Sequence, residues 1–380
     1  MADGRPAAAR ARAALFVYFS IMGTGIGVWA SHVPVVQRRT GVDVGEMGIA
    51  LFLIAAGAVG ATPAISWLVR RQGSRLWATL GALAFALAVP LPIVAATPAA
   101  LMAGAFCLGL AIGATDVPLN VHAVDVERAW GRPTMSAFHG FYSLGGATGA
   151  TAGGFMVGAA SWLPVACVTL LLATASLAAN RFLLRDGAHG PADRLPWRLN
   201  PTAVFIGLLA ALCFGIEGSV VDWSALYLAE VKGAALSAAA SGPAVFMLTM
   251  ALARFCGDAV VTRIGRPATL ALSGAGMAIG IAIALLPPHG IASAAGFGVV
   301  GVAAANVIPI LFSEAGRVKG IAPEAAIAAV AVIGYAGFLL SPPLVGAVAR
   351  ASSLSVAFAI TGAGGLVFVA AGLSRFRRGG

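Results

Sequence analysis

The sequence has few charged residues, since Asp, Glu, Lys and Arg together make up only 10% of its 380 residues. About a quarter of the residues in a typical water-soluble domain are charged, so the composition excludes a soluble enzyme. Hydrophobic residues make up 59% of the chain and its mean hydropathy is +0.93, which excludes a disordered or fibrous protein. The composition predicts a polytopic membrane protein surrounded by the lipid bilayer.

Cysteine is also scarce, and the four cysteines lie far apart within apolar runs at Cys107, Cys167, Cys213 and Cys256. The chain has no Cys-x-x-Cys pair and no Cys/His cluster, so we expect no metal, no disulfide framework and no cofactor. Acidic residues number 14 against 24 basic ones. The basic residues are scattered between apolar runs rather than gathered in a stripe, so no nucleic-acid partner is expected.

Long apolar runs, broken by charged or Pro/Gly turns, are the dominant feature of the chain. A membrane-spanning helix needs about 20 such residues. We therefore predict an all-α polytopic membrane protein, with twelve transmembrane helices in two pseudo-symmetric six-helix bundles. The predicted spans are 13–34, 47–69, 76–96, 99–124, 135–159, 162–184, 201–228, 238–261, 268–286, 290–313, 324–348 and 352–374.

Lysine and arginine are distributed unevenly between alternate connections of these spans. One side receives 20 of them, and the other receives only Arg38, Arg39, Lys232 and Arg350. Basic residues accumulate on the cytoplasmic side of membrane proteins. We therefore expect both termini to be cytoplasmic, in a multi-pass protein of the bacterial inner membrane.

The least hydrophobic internal stretch, residues 185–200, is predicted to be a cytoplasmic linker between bundles 1–184 and 201–380. Three features recur at offsets of 190 to 194 residues. They are the basic turns at 71–75 and 263–266, the tryptophans Trp29 and Trp223, and the polar-to-proline segments 116–118 and 306–309. This spacing indicates an internal duplication.

This organisation, with its Arg-x-Gly-x-Arg turn, resembles the major facilitator superfamily of secondary transporters. Within it, the chain is most similar to the fucose-permease-like branch, on the segments Gly113–Asn120, Phe138–Gly146, Gly215–Gly218 and Asp222-Trp223. The resemblance implies alternating-access transport of a small polar solute, such as a sugar, together with protons, by a monomer. Alternatives are efflux of an amphipathic compound and, less favoured, a non-transporting sensor. A membrane enzyme is not expected, because no acid/base or metal constellation is visible.

Acidic side chains at bilayer depth are costly, so they should face a cavity or a partner. Asp116 and Asn120 are four residues apart on one helix face, and the resemblance implies proton coupling and sugar binding there; a structural hydrogen bond is the alternative. Glu217 is either a ligand contact or part of a structural network. Further candidate substrate contacts are Trp29, Trp223, Tyr335 and Asn306.

A second group of candidates belongs to the cytoplasmic ends of the helices. The family signature places an Asp before the basic turn, but this chain has Arg70 and Thr262 there. Asp258 is the candidate replacement, paired with Arg254 one turn earlier. The predicted cytoplasmic gate comprises Arg71, Gly73, Arg75, Arg254, Asp258, Arg263, Glu127 and Arg128. The branch also has an acid in the first span, which is absent here.

Overall fold

The computed structural model describes residues 4–159, 162–185, 200–286 and 288–376; the predicted linker 185–200 lies outside this range apart from its two end residues. Within these ranges the chain is helical, with short turns and no strand. The helices are α1 (Gly4–Thr40), α2 (Val44–Gln72), α3 (Ser74–Ala88), α4 (Pro90–Ile93), α5 (Pro98–Trp130), α6 (Met135–Met156), α7 (Leu163–Asn180), α8 (Pro201–Glu230), α9 (Leu236–Ala239), α10 (Ser241–Ile264), α11 (Arg266–Leu285), α12 (Gly290–Ala304), α13 (Val307–Ala315), α14 (Pro323–Ala351) and α15 (Leu354–Phe376).

Eleven helical segments within the described ranges are long and apolar enough to cross a membrane. Three of them combine two consecutive helices, namely α3 with α4, α9 with α10, and α12 with α13. The prediction of an all-α polytopic membrane protein is thus confirmed. Helix α6 coincides with the predicted span 135–159, but its mean hydropathy is lower than that of the eleven; six of its 22 residues are glycine.

The chain divides into two compact units. The first comprises Met1–Asp43, Ile49–Ala192 and Leu236–Ala240, so the short helix α9 belongs to it although α8 and α10 do not. The second comprises Val44–Gly48, Asp193–Ala235 and Ser241–Gly380. Each unit therefore includes one short segment whose neighbours in the sequence belong to the other unit.

In the first unit, α1 and α6 pack along a seam of glycines. Gly23 and Gly27 of α1 meet the backbone of α6, while Gly145 and Gly149 of α6 meet the backbone of α1. A Cβ atom at any of these four positions would overlap a carbonyl oxygen of the facing helix. Small residues four apart allow such close approach in membranes, so packing compensates for the low hydrophobicity of α6.

The second unit repeats the helix pairing of the first. Its first span, α8, packs most extensively against its fifth, α14, as α1 does against α6. Its third span, α11, packs against α12 and α15, as α3 packs against α5 and α7. This repeated pattern agrees with the internal duplication inferred from the sequence.

Candidate functional site

Asp116 lies near the middle of α5, where its carboxylate is hydrogen-bonded to Asn120 one turn later. The Asn120 Nδ2 atom donates to Asp116 Oδ1 at 2.9 Å and to the backbone carbonyl oxygen of Asp116 at 2.9 Å. Both residues are half-buried. The amide therefore orients the carboxylate while leaving part of it accessible, as a group that binds a proton or a hydroxyl requires.

Close packing on two sides holds the part of α5 that carries Asp116. Gly109 and Gly113 lie against the backbone of α2 at Ile54 and Ala58, respectively. On another side, Gly81 of α3 lies against the carbonyl group of Ala114. Pro118 has no N–H to donate to the carbonyl of Ala114, four residues earlier. Helix α5 therefore lacks one backbone hydrogen bond in the turn that carries Asp116.

In the second unit, Glu217 of α8 contacts Arg254 of α10. The distance from Arg254 Nη2 to Glu217 Oε2 is 3.7 Å, and Cys213 Sγ donates to the other oxygen, Oε1, at 3.4 Å. The side chains of Arg254 and Glu217 are only 14% and 7% exposed. The sequence prediction paired Arg254 with Asp258, whereas the structure brings the guanidinium to Glu217 and leaves Asp258 exposed.

This contact also changes where Arg254 belongs among the predicted residues. Arg263 lies in the last turn of α10, nine residues and about 14 Å further along the helix axis. Arg254 therefore shares a level with Glu217, a predicted substrate residue, and is distant from Arg263 at the end of its helix. Sequence reasoning missed this pairing, although the four-residue spacing of Cys213 and Glu217 could have indicated their own hydrogen bond.

Asn306 lies at a break between α12 and α13, in the middle of the tenth predicted span. Pro309 cannot donate a hydrogen bond to the carbonyl of Ala305, which accounts for the break there. The Asn306 side chain packs against Gly257 of α10, three residues after Arg254 and on the same helix face. Broken helices contribute to substrate and ion sites in transporters, and here the break places an amide against Gly257, in the turn of α10 that follows Arg254.

The three aromatic candidates have different environments. Trp29 and Trp223 are 2% and 0% exposed, so neither presents an open ring face in this conformation. Their indole nitrogens are buried without a hydrogen-bond partner among the described residues. Tyr335 of α14 is exposed and stacks on Phe214 of α8, with ring centroids 5.6 Å apart.

The predicted gate residues of the first unit surround two helix ends. Gly73 connects α2 to α3 with φ of 93°, in the left-handed region that favours glycine. The Arg71 guanidinium lies over the Trp67 ring at 4.3 Å, and Arg75 Nε donates to Asn180 Oδ1 at 3.2 Å. The first contact lies within α2, and the second joins the start of α3 to the end of α7.

Glu127 and Arg128 lie at the end of α5. Glu127 Oε2 accepts hydrogen bonds from the backbone N–H groups of Thr134 and Met135, at 2.6 and 2.8 Å, and so caps the start of α6. Arg128 forms an exposed ion pair with Asp125 at 3.9 Å. In the second unit, the Arg266 guanidinium lies 3.3 Å from Glu314.

One buried histidine at this end was not among the predicted site residues. His122 Nε2 accepts a hydrogen bond from the backbone N–H of Leu184 at 3.2 Å, so its hydrogen is on Nδ1 in the neutral ring. Nδ1 then donates to Ser74 Oγ at 2.9 Å. His122 therefore links α5 to the start of α3 and to the chain after α7.

In the described ranges, no three His, Cys, Asp or Glu side chains are grouped to hold a metal ion.

The helix content is that of a polytopic membrane protein. The sequence profile of the Major Facilitator Superfamily matches residues 14–323. The chain is 39% identical to an uncharacterised MFS-type transporter of Yersinia pestis, over 90% of this chain and 89% of that protein. The protein belongs to the major facilitator superfamily.

Other relatives and solved structures agree with this assignment. Membrane protein MosC of Rhizobium meliloti is 31% identical over 93% of this chain and 87% of its own length. The fold is similar to that of the nucleoside transporter NupG, with a TM-score of 0.72 and 13% identity over 97% of this chain and 99% of NupG. A bacterial homologue of the human lysosomal transporter Spinster gives a TM-score of 0.73 at 14% identity, over 96% of both chains. At these identities the structural likeness shows the fold alone.

Proposed function

We propose that the protein is a proton-coupled secondary transporter that moves a small polar solute across the bacterial inner membrane by alternating access. Membership of a transporter superfamily supports the general activity. The Asp116–Asn120 pair is the observation that supports proton coupling. An enzymatic activity is not part of the proposal. We further propose that both termini are cytoplasmic, on the basis of the distribution of basic residues, and that the protein is a monomer.

Asp116 is the proposed proton-binding residue. A half-buried carboxylate in the middle of a membrane helix carries a negative charge that is costly to move through an apolar environment. Protonation removes this charge and so lowers the cost of reorienting the loaded carrier. Asn120 keeps a hydrogen-bond donor on the carboxylate, and in the ionised form the carboxylate can also accept hydrogen bonds from solute hydroxyl groups.

Proteoliposomes containing a pH-sensitive dye test this proposal. Sugars, polyols and organic acids are added outside in turn, and a transported solute is expected to acidify the interior. Asp116→Asn should abolish this acidification, whereas Asp43→Asn, at an exposed carboxylate after α1, should leave it unchanged. Acidification by Asp116→Asn at the rate of the original protein would overturn the role of Asp116.

The direction of transport is tested separately in a deletion strain. Import, which we propose, is expected to remove growth on one carbon or nitrogen source without changing sensitivity to toxic compounds. Hypersensitivity of the deletion strain to an amphipathic compound, with normal growth on all sources, would instead assign efflux.

A further inference from the structure

The preference of basic residues for the cytoplasmic side of a membrane does not explain the position of Arg254. It lies ten residues before the end of α10, whereas Arg263 occupies the last turn of the same helix. Basic residues that orient a membrane protein lie at helix ends. A guanidinium in a helix interior is costly unless a partner or a cavity receives it, so Arg254 needs a different account.

The partner of Arg254 is held in place by a second contact. Glu217 meets the guanidinium through Oε2 at 3.7 Å and the Cys213 thiol through Oε1 at 3.4 Å. Charge-assisted hydrogen bonds are about 2.7–2.9 Å long, so the acid and the guanidinium interact mainly through their charges. Arg254 is the more exposed of the two, at 14% against 7%.

The surroundings of the pair offer an additional polar group for a ligand. Asn306 lies at the break in the tenth span, against the turn of α10 that follows Arg254. A guanidinium binds a carboxylate through two parallel hydrogen bonds, and an amide binds hydroxyl groups. Both groups belong to the second unit and lie on one face of α10.

We propose that the transported solute carries a carboxylate, which replaces Glu217 as the partner of Arg254. This proposal rests on the transport function proposed above and names its substrate class, a small hydroxylated organic anion. When the solute carboxylate binds Arg254, Glu217 loses its cation and takes up one proton from the solvent on Oε2. The site then holds one cation, Arg254, and one anion, the solute carboxylate, so its net charge is the same as before the solute bound.

A neutral sugar would not provide this exchange. Parting a buried ion pair leaves two poorly solvated charges, and a neutral solute compensates neither of them. A carboxylate compensates the guanidinium, and the proton compensates Glu217. Arg254 and Cys213 are the two titratable or charged groups whose contacts with Glu217 are described above; Asp222, the next acid on α8, lies five residues further on.

Thermal unfolding of the purified full-length protein in detergent tests the proposal with matched probes. D-gluconate is compared with D-glucitol, and D-galacturonate with D-galactose, at pH 5.5 and pH 7.5. A bound solute raises the unfolding midpoint by mass action. We expect at least one carboxylate to raise the midpoint, its neutral counterpart to leave it unchanged, and the apparent affinity to be higher at pH 5.5.

Three variants separate the roles of the two side chains. Glu217→Gln should keep carboxylate binding and should show a smaller pH dependence of that binding, since the acid displaced from Arg254 is no longer there to take up a proton. The double variant Glu217→Gln with Arg254→Gln has no unpaired charge at the site and should bind the carboxylate at least about tenfold more weakly. Arg254→Lys should recover part of this loss. Glu230→Gln and Arg350→Gln, at exposed helix ends, are the matched controls and should resemble the original protein.

Three results would overturn the substrate class: no shift with either carboxylate, an equal shift with the neutral counterparts, or undiminished carboxylate binding by the double variant. If a neutral solute binds and acidifies proteoliposomes, and this acidification depends on Asp116, the proposal of a carboxylate substrate is wrong but the proposed transport function stands. If none of the four probes binds and no solute moves protons, both proposals are wrong.

Discussion

The glycine seam between α1 and α6 predicts a large effect from one added methyl group. In Gly149→Ala, the new Cβ would lie 2.7 Å from the carbonyl carbon and the Cα of Thr24, and closer still to the Thr24 oxygen. Because ordinary contacts begin near 3.4 Å, the helices must separate by roughly 1 Å there. A gap of that size removes a quarter to a half of the dispersion attraction between the facing atoms.

The expected magnitude follows from two opposing effects. Overpacking of this kind costs about 1–3 kcal/mol, and the greater helix propensity of alanine returns at most about 1 kcal/mol. Because the new Cβ would meet backbone atoms of Thr24, which cannot rotate away, we take the upper part of the overpacking range and expect a net destabilisation of about 1–2 kcal/mol. For a folding unit of 150–250 residues this lowers the unfolding midpoint by about 2–8 °C.

Thermal unfolding in a mild detergent, followed by tryptophan fluorescence, measures this shift. Gly60→Ala is the matched control, because Gly60 lies within α2 and a Cβ there would have no neighbour within 4 Å. Its midpoint should stay the same or rise. A Gly149→Ala midpoint equal to or above that of the original protein would refute the reasoning that the seam has no room for a side chain.

Two further substitutions are expected to affect stability. Arg254→Gln leaves Glu217 as a buried unpaired charge and should lower the free energy of unfolding by about 3–5 kcal/mol, while the double variant with Glu217→Gln should recover most of it; equal losses in denaturant unfolding would contradict this ion pair. His122→Ala removes the hydrogen bonds that His122 makes with Ser74 Oγ and the Leu184 N–H and should cost about 1–3 kcal/mol. His289→Ala, at an exposed position, should change the same measurement by less than about 0.5 kcal/mol.

The fold could be predicted because a membrane limits its possible forms. Lipid offers no hydrogen bonds to the backbone, so an apolar run of sufficient length must be helical. Helix α6 shows where hydropathy alone becomes weak. Its glycines lower its hydropathy, and the reason they are present becomes visible only when α1 lies against them.

The candidate site could be predicted only where its members lie on one helix. Asp116 and Asn120 are four residues apart on α5, and the regular helix brings their side chains together. Glu217 and Arg254 lie on different helices, and their contact depends on how each helix is rotated about its axis. Side-chain packing sets that rotation, so the sequence reading gave Arg254 the neighbour on its own helix instead.

The glycine-rich helix α6 has a consequence for how the chain is made. A span of such low hydropathy leaves water for lipid only weakly, and its favourable contacts are with α1, which ends at Thr40, long before α6 begins at Met135. The close packing of α6 therefore depends on a helix synthesised much earlier. The α1–α6 pair can form only after the ribosome has passed Met156, so a substitution in α1 affects the packing of a helix almost a hundred residues further along the chain.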